Sequence, residues 1–121
     1  MTSKKTLVLG ASSKPEQYSN LAVRKLVSAG HPVEAIGREA FSIDELHVRT
    51  QPELFTDIHT VTLYLNSSRQ ASYEDYILSL HPKRIIFNPG AENPPFFEKA
   101  RQNGIEVIEA CTLVMLSVGT F

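Results

Sequence analysis

Five short apolar runs recur along the chain with turn-rich or helix-patterned segments between them, and this alternation restricts the possible folds more than any other feature. Thr6-Leu7-Val8-Leu9 is apolar and stops at Gly10, as a strand covered on both faces would. From about Asn20 to Ala29, the residues Leu21, Ala22, Lys25, Leu26 and Ala29 return at helical spacing. Ser19 or Asn20 is placed to cap that helix and Gly30 to close it. Pro32 to Ile36, ending at Gly37, predicts the next strand, so the unit is a right-handed parallel crossover. Thr60 to Leu65 repeats the strand pattern and Ser68 to Leu80 the helical one. Arg84 to Phe87 then predicts a strand, Pro95 to Gln102 a helix closed by Asn103-Gly104, Ile105 to Ile108 a strand, and Ala110 to Ser117 a last helix. The expected architecture is α/β: a Rossmann-like, doubly wound, five-stranded and mostly parallel sheet with helices on both faces. Within residues 40–57, Val48 is expected in a short edge strand and Pro52-Glu53-Leu54-Phe55 in a single turn.

With 121 residues, 42% of them hydrophobic, the sequence suits one domain spanning 1–121 around one core. Twelve Lys and Arg balance thirteen Asp and Glu, so no global field draws the chain to nucleic acid or to an anionic membrane, and any anion site must be local. Cys111 is the single cysteine and has no internal disulfide partner. The apolar stretch before Gly10 is too short for a signal segment, and no run approaches the roughly 20 residues of a membrane span. A cytoplasmic location is the expectation; protein partners are not indicated.

In an open parallel sheet, ligands bind beyond the carboxyl ends of the strands, where the strand order reverses. The first such end carries Gly10-Ala11-Ser12-Ser13, small residues whose amides and hydroxyls suit an anion, with Asn20 and a helix start behind them. A plain tight turn fits these residues equally well, because the second and third glycines of G-x-G-x-x-G are missing. The added length of Lys14-Pro15-Glu16-Gln17-Tyr18-Ser19 points beyond a plain turn, since βα loops usually run to about 2–6 residues. Lys14 is placed to meet a phosphate and Tyr18 to cover a ring or an extended arm, although Lys14 by itself reads as a solvated loop residue. The second strand ends in Gly37-Arg38, where an NAD enzyme usually has an acid for the ribose; arginine instead suits a ribose phosphate. Coenzyme A carries such a group at 3′ and NADP at 2′. Glu39 lies further into the loop. Asn88-Pro89-Gly90-Ala91-Glu92-Asn93 places Asn88 and Gly90 at the expected cleft floor, with Asn93 ready to cap the following helix. Ser67 or Ser68 reads as a helix cap.

Other chemistries find little support. Gly10-Ala11-Ser12 lacks the fifth glycine of a nucleophile elbow, and Lys14-Pro15 keeps a helix from starting directly after the serine. His31, His47, His59 and His81 show no metal-ligand spacing. Cys111 fits a buried structural thiol better than a reactive one.

The segments at Val8–Asn20 (VLGASSKPEQYSN), Ala29–Gly37 (AGHPVEAIG), Asn88–Asn93 (NPGAEN) and Ala100–Cys111 (ARQNGIEVIEAC) together resemble the small stand-alone CoA-binding proteins. Their domain is similar to the CoA-binding domain of the succinyl-CoA synthetase α subunit. The resemblance runs from about Lys5 to Leu116. It implies that Gly10 to Ser13 and Lys14 hold the cofactor phosphates and that Gly37 and Asn88 to Gly90 line the cleft. The chain differs from the family where it has Gly37-Arg38 in place of Asn-Pro, Asn88 in place of glutamine, and Val114-Met115-Leu116 in place of a basic, histidine-containing extension. In the synthetase the phosphorylated histidine lies in a second domain, so ligase activity is not implied. The expectation is a non-enzymatic module binding coenzyme A or an acyl-CoA; an NADP-binding oxidoreductase-like domain and an interaction protein with an empty cleft are the alternatives.

Overall fold

The structure is a computed structural model describing residues 3–121. Its elements are β1 (Thr6–Ala11), α1 (Tyr18–Ser28), β2 (Val33–Gly37), β3 (Phe41–Ile43), β4 (Leu46–Val48), β5 (Thr60–Leu63), α2 (Ser67–Gln70), α3 (Glu74–Ser79), β6 (Arg84–Phe87), α4 (Pro94–Gln102), β7 (Glu106–Glu109) and α5 (Thr112–Val118). Five parallel strands form one sheet in the order β2-β1-β5-β6-β7, and β3 and β4 pair as an antiparallel hairpin. The fold is the Rossmann-like α/β arrangement that the alternating pattern predicts.

Strand alternation distributes β1 between two cores. Leu7 and Leu9 join Val61, Leu63, Ile85 and Phe87 on one face, under Ile77 of α3 and Phe96 and Ala100 of α4. Val8 and Ala11 join the other face, where α1 supplies Val23 and Leu26 and α5 packs beside it. Each fully buried Leu, Ile or Phe contributes about 1.5–3 kcal/mol by leaving water.

Several boundaries differ from the sequence expectation for identifiable reasons. β1 does not end at Gly10; it continues to Ala11 through a register shift in which Gly10 stands at φ +100 between Leu9 and Ala11. Helix α1 begins at Tyr18, so neither Ser19 nor Asn20 caps it; both side chains turn back to the preceding loop. Asn66, not Ser67 or Ser68, caps α2 by accepting the Arg69 N–H at 3.0 Å. The single helix expected over Ser68 to Leu80 is broken by a 3-10 turn at Ala71–Tyr73, just after Gln70 buries its amide among polar partners. Val48 lies in β4 of the hairpin, and the chain continues along the edge of β2 through Gly37 N–H to Arg49 O and Arg49 N–H to Ala35 O. Pro52 to Phe55 forms no helical turn, only a tight bond from Phe55 N–H to Glu53 O. The last strand and helix begin at Glu106 and Thr112.

The order of the strands fixes where a ligand can enter. From β1 the chain steps outward to β2 and then returns to the opposite side of β1 as β5, so the reversal falls between β1 and β5. Beside that point the Ala11 carbonyl rides against Gly37: a Cβ built on Gly37 would stand 2.3 Å from the Ala11 oxygen. Gly37→Ala is therefore expected to force the carboxyl ends of β1 and β2 apart and to cost about 1–3 kcal/mol in urea denaturation, with the midpoint lowered.

Candidate functional site

Two cavities open at the carboxyl ends of the strands. The larger, 710 Å³, lies between the ends of β1 and β2 and the segment from Tyr64 to Tyr73. The second, 460 Å³, lies between the loop before α1 and the ends of β6 and β7. Gly10, Ser12, Gln17 and Tyr64 line both, so the two spaces form one cleft divided at the reversal point.

The loop that walls this cleft is held by its own side chains. Ser19 Oγ accepts the Ser12 N–H at 3.1 Å, Ser12 Oγ accepts the Lys14 N–H at 3.1 Å, and Asn20 Nδ2 donates to the Ser12 carbonyl at 2.8 Å. Arg24 braces the arrangement from α1, donating to Asn20 Oδ1 at 2.9 Å and to the Pro15 carbonyl at 2.7 Å. These bonds occupy main-chain donors that the sequence assigns to an anion. At the start of α1, Gln17 is extended and no side chain caps the first turn, and Gln17, Tyr18 and Ser19 there line the second cavity.

Of the residues singled out from sequence, Gly10, Ala11, Ser12, Lys14, Gly37 and Arg38 line the larger cavity, and Asn88 joins Gly10 and Ser12 around the second. Ser13, Asn20 and Gly90 line neither. Ser13 Oγ donates to Glu39 Oε1 at 3.5 Å, Asn20 positions the loop, and the Gly90 N–H donates to Glu92 Oε1 at 3.0 Å. Asn88 is buried, and its amide is engaged within the protein: Nδ2 donates to Thr62 Oγ1 at 2.7 Å and to the Leu63 carbonyl at 2.8 Å, while Oδ1 accepts the Thr112 N–H at 2.9 Å. It therefore sets the floor and leaves no donor for a ligand.

Sequence reasoning missed Tyr64, Arg69 and Tyr73 as lining residues. The signal was present in part, since they follow β5, the other strand at the reversal. Tyr64 lines both cavities. Its hydroxyl oxygen is buried without a hydrogen-bond partner, and burial, with the nearby Cys111 adding to it, pushes its pKa up to about 12. The Thr62 and Thr112 hydroxyls beside it offset this only in part, being bonded to each other at 2.8 Å. Tyr64 therefore stays neutral across the physiological range.

Charge divides the cleft. Lys14, Arg38 and Arg69 line the larger cavity against the carboxylate of Glu39, whereas the second has Glu16 and the thiol of Cys111 but no cation on its lining. One compartment thus favours an anionic group and the other a neutral one. Among the described residues no cluster of His, Cys, Asp or Glu is placed to hold a metal ion, and no helix is long and apolar enough to cross a membrane.

A family model described as "CoA binding domain" matches residues 4–117. The crystal structure of an uncharacterized protein superposes with a TM-score of 0.97 at 45% identity, covering 100% of both chains. A hypothetical protein from Pyrococcus horikoshii OT3 superposes at 0.86 with 19% identity, over 96% of this chain and 83% of that one. The dinucleotide forming acetyl-coenzyme A synthetase 1 of Ca. Korarchaeum cryptofilum, in complex with phosphate and ADP, superposes at 0.72 with 18% identity, over 88% of this chain but 25% of that one. No curated protein matches the chain.

Because Asn88 bonds three buried groups, the Thr62 hydroxyl, the Leu63 carbonyl and the Thr112 N–H, Asn88→Ala is expected to destabilise the fold by at least about 2 kcal/mol in chemical denaturation. A residue whose only role was ligand contact would leave the stability of the ligand-free protein unchanged.

Proposed function

The chain belongs to the CoA-binding domain family, and from that membership we propose that it binds coenzyme A, free or acylated, across the divided cleft. The observation that carries the reading is the separation of charge: three cations and one carboxylate around one cavity, no cation around the other. Coenzyme A has the matching asymmetry. Its phosphorylated ribose would enter the larger cavity near Arg38, Lys14 and Arg69, and its pyrophosphate would meet the uncapped start of α1. The neutral pantetheine arm would cross Gly10 and Ser12 beneath Tyr64 and end in the second cavity near Cys111. Gly10 suits this crossing because it has no side chain and packs directly on Tyr64 and Leu65, where an added Cβ would stand 3.1 Å from either residue.

We assign these residues binding without ligase chemistry, in keeping with a likeness to the acetyl-coenzyme A synthetase that spans only 25% of that chain. NADP is the second reading, because Arg38 suits a 2′-phosphate as well as a 3′-phosphate. The absence of the second and third glycines of the dinucleotide fingerprint favours coenzyme A.

Calorimetric titration separates the two. Coenzyme A is expected to bind, and dephospho-CoA to bind roughly tenfold more weakly, the loss of about one charge-assisted contact. Arg38→Ala should erase most of that difference while leaving the unfolding midpoint of the free protein near its original value, since Arg38 is exposed. Binding of NADP without binding of coenzyme A would overturn the assignment.

A further inference from the structure

At the amino end of the sheet, opposite the cleft, three groups that carry or can take positive charge gather around one aromatic ring. The Arg84 guanidinium lies 4.5 Å from the centroid of Phe121, the Lys4 ammonium 5.8 Å from it, and the His31 ring 5.0 Å away at a tilt of 56°. Lys4 Nζ also donates to the Phe121 carbonyl oxygen. Arg84 is only 6% exposed; its Nε donates to Thr60 Oγ1 at 3.0 Å, and its Nη2 is buried without a partner. His59 and Lys83 stand nearby, Glu106 is the carboxylate acting on this group, and Lys5 turns away to the Thr56 carbonyl.

The protonation state of His31 is written into this geometry. Its Nδ1 accepts the Lys4 backbone N–H at 3.0 Å, so that nitrogen carries no proton. Protonation would set a donor against a donor and add a further cation beside Lys4 and Arg84. We propose that Phe121 is the tip of a proton-sensitive latch, which holds α5 against the amino end of the sheet while His31 is neutral and releases it when His31 takes a proton.

Burial, then Lys4, then Arg84 hold the His31 pKa below its ordinary 6.5. Burial and the Arg84, Lys4 and Lys83 charges do the same to His59 against the opposing pull of Glu106. A lowered pKa in the docked state means that the latch has its full strength above the ordinary histidine value and loses it as the pH falls below 6.5. The helix so held begins with Thr112, whose N–H binds Asn88 at the cleft floor, so the two ends of the sheet are mechanically joined through α5.

Amide hydrogen exchange of the full, ligand-free chain between about pH 5 and about pH 7.5, corrected for intrinsic rates, tests it. The reporters are the Met115 and Thr120 amides, bonded to the Cys111 and Met115 carbonyls, with Val61 and Leu63 of β5 as the core control. Exchange at the reporters is expected to rise severalfold on the acid side while the control stays unchanged. His31→Gln, which offers Lys4 an acceptor that does not titrate, should flatten the profile, and Phe121→Ala should raise reporter exchange at every pH. A second measurement leaves the histidine untouched: the NMR titration midpoint of His31 should move upward in Phe121→Ala. The proposal fails if the original chain shows a flat profile, if His31→Gln keeps the pH dependence, if only His59→Gln removes it, or if the His31 midpoint does not move.

Discussion

Parallel strands leave their carboxyl ends ragged, and something must join those ends before a cleft can keep a shape. Here the join is the Asn88 side chain, which satisfies the Leu63 carbonyl and the Thr62 hydroxyl of β5 and the Thr112 N–H at the head of α5. All these groups are buried, where an unpaired donor or acceptor costs about 1–3 kcal/mol, so the bonds gain their weight from the absence of water to replace them. Gln70 repeats the device one layer out: its amide donates to the Leu65 and Ala91 carbonyls and accepts from Asn93, which in turn caps α4. The segments after β5 and β6 are thereby tied to each other, and the segment after β5 brings Tyr64 and Arg69 to the cleft wall.

Repeating burial was legible in the sequence, and contacts between distant residues were not. The sheet was legible because Leu7, Leu9, Val61, Leu63, Ile85 and Phe87 are buried by a repeating pattern that any parallel sheet imposes on its strands. Element ends were less so, because they depend on single hydrogen bonds between distant residues. Ser19 and Asn20 have the composition of caps, yet their side chains meet Ser12, a partner that spacing along the chain cannot identify. The candidate site divides the same way. Gly10, Ser12, Lys14 and Arg38 follow from the rule that ligands sit beyond the first strands, whereas Asn88 looks like a ligand group until its partners in β5 and α5 are known. Arg69 was hidden because a four-residue helix capped by Asn66 brings it to a cavity that it shares with the ends of β1 and β2, far from it along the chain.

Near-neutral overall charge makes local placement of cations the controlling variable. Twelve basic side chains face thirteen acidic ones, so a site for an anion must be made by withholding partners from particular arginines and lysines. Arg49 and Arg101 are paired with Glu53 and Glu98 on the surface, where such pairs contribute little. Arg24 is spent on the loop. Lys14, Arg38 and Arg69 surround the larger cavity with Glu39 alone for a counter-charge. The cleft thus keeps an electrostatic demand that a phosphorylated ligand would meet.

Arg84 shows the opposite solution at the other end of the same sheet. It is buried: Nε donates to the Thr60 hydroxyl, the guanidinium lies over the Phe121 ring, and Nη2 goes without a partner. Burial first, and after it the neighbouring Arg84 and Lys4 charges, hold both His31 and His59 toward the neutral form. Exposed arginines at the carboxyl end leave a field open to a ligand, while a buried arginine at the amino end turns its field inward upon two histidines. The proton-sensitive part of the molecule therefore lies away from the part that is charged to receive a ligand, and α5, touching Asn88 at one end and Phe121 at the other, is the element through which one can act on the other.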